Sequence, residues 1–206
     1  VDFAQPIEVY HVPRLLAAKL VLQGPKEHLD RACTSSHLAV HSATGAIRAG
    51  ECDAVLVVAT TLLFQPRSSM DSLSVGILSP SGVCKPLDEM GNGCVRGEAC
   101  LAVVITKQQL AASSRRTLCR SAVALSSPSL PSLLSPDQDA QEMAVRAAQD
   151  GHDIDLVHIH GIGQRMADTV ELCALENSWR SKQRTLVNHK ANFGHTSAAC
   201  GLLAVL

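Results

Sequence analysis

The sequence predicts an α/β fold. Two continuous apolar runs, Ala54 to Ala59 (AVLVVA) and Ala99 to Thr106 (ACLAVVIT), read as buried strands, the first buried on both faces. A helical period of small and apolar residues runs from Thr34 to Ala49 through Leu38, Ala39, Ser42, Ala43, Ala46 and Ile47. Strands that alternate with such helices predict a largely parallel sheet.

The elements follow in order. Pro13 to Gln23 reads as a short helix that stops before Gly24-Pro25. His28 to Ala32 reads as a strand leading into a tight turn at Cys33, and Gly50 stops the helix that follows. Thr60 to Lys85 reads as a long Ser-rich connection punctuated by Pro66, Pro80 and Gly82, a length often functional in compact domains. Thr117 to Leu125 reads as a strand, and Ser126 to Asp137 (SSPSLPSLLSPD) as a Ser/Pro loop. Ala140 to Gln149 is helical by pattern, Ile154 to His158 a strand, Asp168 to Asn177 a helix, Thr185 to His189 a strand, and GLLAVL a helix. No short-period repeat is present.

Composition narrows the classes. Of 206 residues, 46% are hydrophobic and 18% charged, enough apolar content for a sizeable core. A net charge of −1 without a long basic run gives no electrostatic footprint for nucleic acid. The eight cysteines form no CxxC pair, and the start has no apolar signal core, which predicts a reducing, cytoplasmic setting. No apolar stretch is long enough to span a bilayer. The missing initiator Met and the uncapped apolar end predict an excerpt of a longer chain.

Three segments carry the chemistry: DRACTSSH around Cys33, HGIGQ from His160, and KANFGH ending at His195. A thiol at a strand-to-helix turn sits where backbone N–H groups and the helix dipole favour thiolate, the attacking species in thioester exchange. His160 ends an apolar strand and precedes Gly161 and Gly163, which allow close approach of a ligand. His195 lies 35 residues further on, after Gly194. A cysteine with two convergent histidines suits covalent acyl transfer. His152, His158 and His189 read as structural. Cys33, His37 and His41, four residues apart, would also stack on one helical face as a metal site, a poorer account without an evident fourth ligand.

The order and flanks of these segments resemble the β-ketoacyl synthases, the ketosynthase domains of type I polyketide and fatty-acid synthases. DRACTSSHLAVHSA resembles their nucleophile segment, and RLLAAKLVLQGP the stretch before it. Pro86, Asp88, Arg96, Gly97 and Glu98 fall in a stretch resembling the loops of the active-site floor. Glu171 matches an acidic position in the helix after the first histidine, and Lys190 the lysine of the second histidine motif, where it joins a polar network. The departures are equally specific. Ile162 and Gln164 stand where the family has threonines that help hold the pantetheine arm; Ala191 replaces a threonine, and Cys94 an aromatic residue.

The resemblance implies a thiolase-like α-β-α-β-α fold, incomplete at both ends. Residues 1–115 would belong to the N-terminal half with the nucleophile, and 116–206 to the C-terminal half with both histidines. It implies decarboxylative condensation, with Cys33, His160 and His195 catalytic and with Lys190, Ile162, Gln164 and Phe193 in the substrate-binding set. No metal or nicotinamide is expected. Phosphopantetheine would arrive on an acyl carrier protein, with acyl and malonyl thioesters as substrates, and the whole domain would be a homodimer. The alternatives are a carrier-docking scaffold, a transacylating domain that does not extend, and, more distantly, a thiolase with Cys200 as second cysteine.

Overall fold

The computed structural model describes residues 11–107, 116–127, 136–179 and 183–206. The first ten residues and most of the Ser/Pro segment lie outside them. The helices are α1 (Val12–Leu20), α2 (Ser35–Ala49), α3 (Pro66–Ser74), α4 (Gln138–Gln149), α5 (Arg165–Ser178), α6 (Lys190–Phe193) and α7 (Cys200–Val205). The strands are β1 (Ala54–Thr61), β2 (Ala99–Thr106), β3 (Leu156–His158) and β4 (Thr185–Val187).

Local chemistry sets the boundaries. Pro13 opens α1, and left-handed Val21 closes it. Gly50, at φ 77°, caps α2 as its position predicts. The Asp137 carboxylate accepts the Ala140 N–H at 3.0 Å and caps α4.

Sheet geometry departs from expectation. β1 and β2 pair antiparallel over their whole lengths, from Ala54 opposite Thr106 to Thr61 opposite Ala99. Among the strands of the described residues, only β3 and β4 pair parallel. Nor is β1 buried on both faces: Val57 and Ala59 are buried, whereas Val58 is exposed. One face packs on α2 and the chain's end, where Val40, Ala43, Val57, Ala59, Ala199 and Leu202 form the core. The other face carries Val58 and Val104 to the surface. An unbroken apolar run cannot reveal that asymmetry, because both faces of β1 are apolar.

Three further expectations change. Pro66 starts α3 inside the segment read as a long connection. Residues 28–31 and 117–125 form no strand, since neither stretch pairs with a strand among the described residues. Apolar content alone does not supply a ladder partner.

Candidate active site

Cys33 sits in a single 3₁₀ turn, Ala32–Thr34, that runs directly into α2. The turn is strained, with Ala32 at φ 49°. Neighbouring hydroxyls hold it. Ser35 Oγ accepts the Arg31 N–H at 2.7 Å and donates to the Ala32 carbonyl at 2.7 Å, while Thr34 Oγ1 donates to the Arg31 carbonyl at 2.8 Å.

His160 follows β3. Its N–H and that of Gly161 donate to the Glu171 carboxylate at 2.6 and 2.8 Å. Buried Asp168, three residues earlier on α5, accepts from Leu87, Ile162 and Gly163 at 2.9, 2.9 and 3.1 Å. Asn188 Nδ2 donates to the carbonyls of Ile159, His160 and Gly161 at 3.2, 3.1 and 3.0 Å. Lys190, 2% exposed, also donates to the His160 carbonyl. The sequence reading overlooked Asp168 and Asn188 as site-builders. Asp168 carried a signal: a carboxylate one helical turn before Glu171, on the same face.

His195 is clamped by backbone bonds. Its N–H donates to Val95 at 2.6 Å, and its carbonyl accepts from Gly97 at 3.0 Å. Gly97 is required there, because a Cβ would lie 2.2 Å from the Phe193 carbonyl oxygen. The Ser197 N–H donates to His195 Nδ1 at 3.2 Å, which assigns the neutral ring's proton to Nε2.

These three positions converge. One ligand atom each from Cys33, His160 and His195 lies within 4.8 Å of the other two. The two rings meet edge to face with centroids 5.4 Å apart. The Cys33, His37 and His41 alternative is not assembled among the described residues; His41 Nδ1 instead bonds Ser121 Oγ at 2.9 Å.

Electrostatics favour neutral imidazoles. Desolvation first, then the Lys190 charge, lowers His195 to about 4 and His160 to about 3. His160 keeps one exposed edge beside the cluster. Cys33 corrects the sequence reading. Burial raises its pKa above the ordinary 9.0, outweighing the lowering by its own backbone N–H and by Lys190. The group rests as a thiol.

The substrate-binding candidates are spread more widely. Gln164 Nε2 donates to the Gly76 carbonyl at 3.3 Å, and the Ile162 carbonyl accepts from Cys84 Sγ at 3.5 Å. Phe193 is exposed at the end of α6. Cys200 is buried, donates to the Cys33 carbonyl at 3.2 Å, and is pushed up to about 11 chiefly by burial.

Residues 10–111 match the family model of the β-ketoacyl synthase N-terminal domain, and residues 120–206 that of the C-terminal domain. The chain belongs to the β-ketoacyl synthase family, and its fold is the ketosynthase, thiolase-like one. Among curated relatives, the highly reducing polyketide synthase ALT1 of Alternaria alternata is 32% identical over 195 residues, 90% of this chain and 7% of that protein. The fatty acid synthase of Anser anser anser is 31% identical over 191 residues, covering 89% and 54%. The oxazolomycin ketosynthase domain from Streptomyces albus superimposes with a TM-score of 0.90 at 25% identity, over 98% of this chain and 37% of that one. A ketosynthase from module 6 of the bacillaene synthase of Bacillus subtilis 168 gives 0.87 at 30%, over 94% and 37%. The chain therefore spans a fragment of these relatives.

Proposed function

We propose that this chain is the catalytic segment of a condensing ketosynthase. The observation that carries the reading is the convergence of the Cys33 thiol with two imidazoles. Cys33 Sγ attacks the carbonyl carbon of an acyl thioester delivered by an acyl carrier protein. Its proton ends on the departing pantetheine thiol, leaving an acyl-Cys33 thioester. A malonyl-type extender then loses carbon dioxide as its C–C bond breaks, and the electron pair forms an enolate. N–H groups of neutral His160 and His195 donate to the enolate oxygen. The carbanion attacks acyl-Cys33, Sγ leaves and is reprotonated, and the β-ketoacyl thioester stays on the carrier. Because Cys33 rests as a thiol, a thiolate must be generated in the first step.

The partner would be an acyl carrier protein, and the parent domain a cytoplasmic homodimer, with residues 1–115 of each chain in the domain's N-terminal half and 116–206 in its C-terminal half. No helix among the described residues is long and apolar enough to cross a membrane. The test is intact-mass analysis of the parent domain with an acyl-pantetheine thioester. An adduct that maps to Cys33 and disappears in Cys33→Ala is expected; an equal adduct in Cys33→Ala refutes the assignment.

One observation favours a second reading, a domain that accepts acyl groups or docks carriers without extending. Ile162 offers no hydroxyl, and the Gln164 amide is engaged with Gly76. Normal carrier binding without decarboxylation would select it.

A further inference from the structure

We propose that Cys33, His160 and His195 also form a binding site for a borderline-soft divalent cation of the zinc class, and that its occupancy blocks the nucleophile. The donor set is one thiol sulfur and two imidazole nitrogens, all mutually within 4.8 Å. Zinc bonds of about 2.0–2.3 Å in tetrahedral geometry need ligand separations of roughly 3.4–3.6 Å. Closing from the observed 4.8 Å takes a contraction of up to about 1.4 Å, which side-chain rotation at the three residues must supply. Sulfur with imidazole nitrogen selects zinc-like ions over magnesium or calcium, which prefer oxygen.

The surroundings favour entry. Within the described residues Cys33 and His195 are half-buried and His160 is exposed. Three protein ligands leave the fourth position for water, as in open zinc sites. Binding releases the Cys33 proton: Cys33–SH and the cation give a Cys33 sulfur–metal bond and H⁺, while the imidazoles contribute lone pairs. Two features oppose it: the Lys190 charge that disfavours imidazolium at His160 and His195 also disfavours a bound cation, and the Ser197 contact must be given up. A metal at His195 Nε2 moves the ring proton to Nδ1, where it faces the Ser197 N–H now donating at 3.2 Å. The site is therefore weaker than a closed structural zinc site.

Metal binding stands independently of condensation; only its inhibitory consequence rests on the proposed function. The test uses the intact parent domain and two readouts that need no turnover. Co²⁺ should bind at one equivalent and produce a thiolate-to-cobalt charge-transfer band. The band should vanish in Cys33→Ser, and affinity should fall at least about a hundredfold in His160→Ala, beyond the usual loss for an outer-shell partner. It should survive Cys100→Ser and Cys119→Ser, which remove exposed thiols. In the unsubstituted protein, Zn²⁺ should slow iodoacetamide alkylation of Cys33, and EDTA should restore it. A band that persists in Cys33→Ser, or alkylation unchanged by Zn²⁺, overturns the proposal.

Discussion

The nucleophile turn and the two histidine loops reach the same point by different means. Cys33 is placed mainly locally: a left-handed Ala32 and two hydroxyls, all within a few residues, shape its turn at the head of α2, with one long-range bond from Cys200 Sγ to its carbonyl. The histidines are placed at long range. His160 depends on Glu171, Asn188 and Lys190, and His195 on Val95 and Gly97. A site built this way has one arm that carries its own strain and two that inherit their geometry from a buried polar network. Substitutions in the two regions should therefore have opposite signs.

The largest expected effect lies in the network. Asp168→Ala leaves three backbone N–H groups without their acceptor, those of Ile162 and Gly163 in the first histidine loop and that of Leu87 in the segment packed against it. At about 1–3 kcal/mol for each unsatisfied group, partly relieved by relaxation, denaturant unfolding should show a loss of about 4 kcal/mol. Asp168→Asn should recover part of it. Gly97→Ala comes next. Its Cβ meets the Phe193 carbonyl oxygen at 2.2 Å and Thr196 Cγ2 at 3.2 Å. A cost of about 3 kcal/mol is expected, with displacement of His195 visible in its NMR chemical shift. Unchanged stability in either variant would mean the loops are not held as described.

Acidification should also act through the histidines. In the folded protein His189 and His195 titrate at about 4 and His160 at about 3, all below the free value of 6.5, with desolvation the leading cause. The unfolded chain binds more protons across that interval. Their stabilisation is fully present above pH 6.5 and declines as pH falls toward 4. Glu171, raised above 4.5 chiefly by burial, acts oppositely: its contribution is present below 4.5 and is lost as pH rises through its folded value. His37 and His158 are lowered too, again chiefly by desolvation, so five histidines outweigh one carboxyl and unfolding free energy should drop between about pH 7 and pH 5. His195→Gln should flatten that drop.

The smallest effect belongs to the nucleophile turn. Ala32→Gly removes the penalty of φ 49° and should stabilise by about 1 kcal/mol. The same turn predicts a chemical signature. Alkylation of Cys33 by iodoacetamide should rise with pH and level off only above 9.0. An inflection well below that value would mean the helix terminus outweighs burial.

The contrast between the two regions also explains what could be read in advance. The Cys33 turn, the extent of α2 and its stop at Gly50 are written in neighbouring residues. The pairing of β1 with β2 was not, because the antiparallel choice depends on how residues 62–98 return the chain. α3 hid among serines and was marked only by Pro66. Asn188 gave no signal, since its three carbonyl partners lie in a loop almost thirty residues away. Burial of Cys33 was likewise invisible, although it reverses the expected direction of the thiol's pKa.

The most direct measurement is a single-turnover chase on the parent domain. Load Cys33 with an acyl group, remove free thioester, add malonyl carrier protein, and follow both species by intact mass. A condensing site predicts that the Cys33 adduct decays as a β-ketoacyl carrier appears with loss of carbon dioxide. An adduct that persists beside unconsumed malonyl carrier would contradict the central claim and leave a domain that accepts acyl chains without extending them.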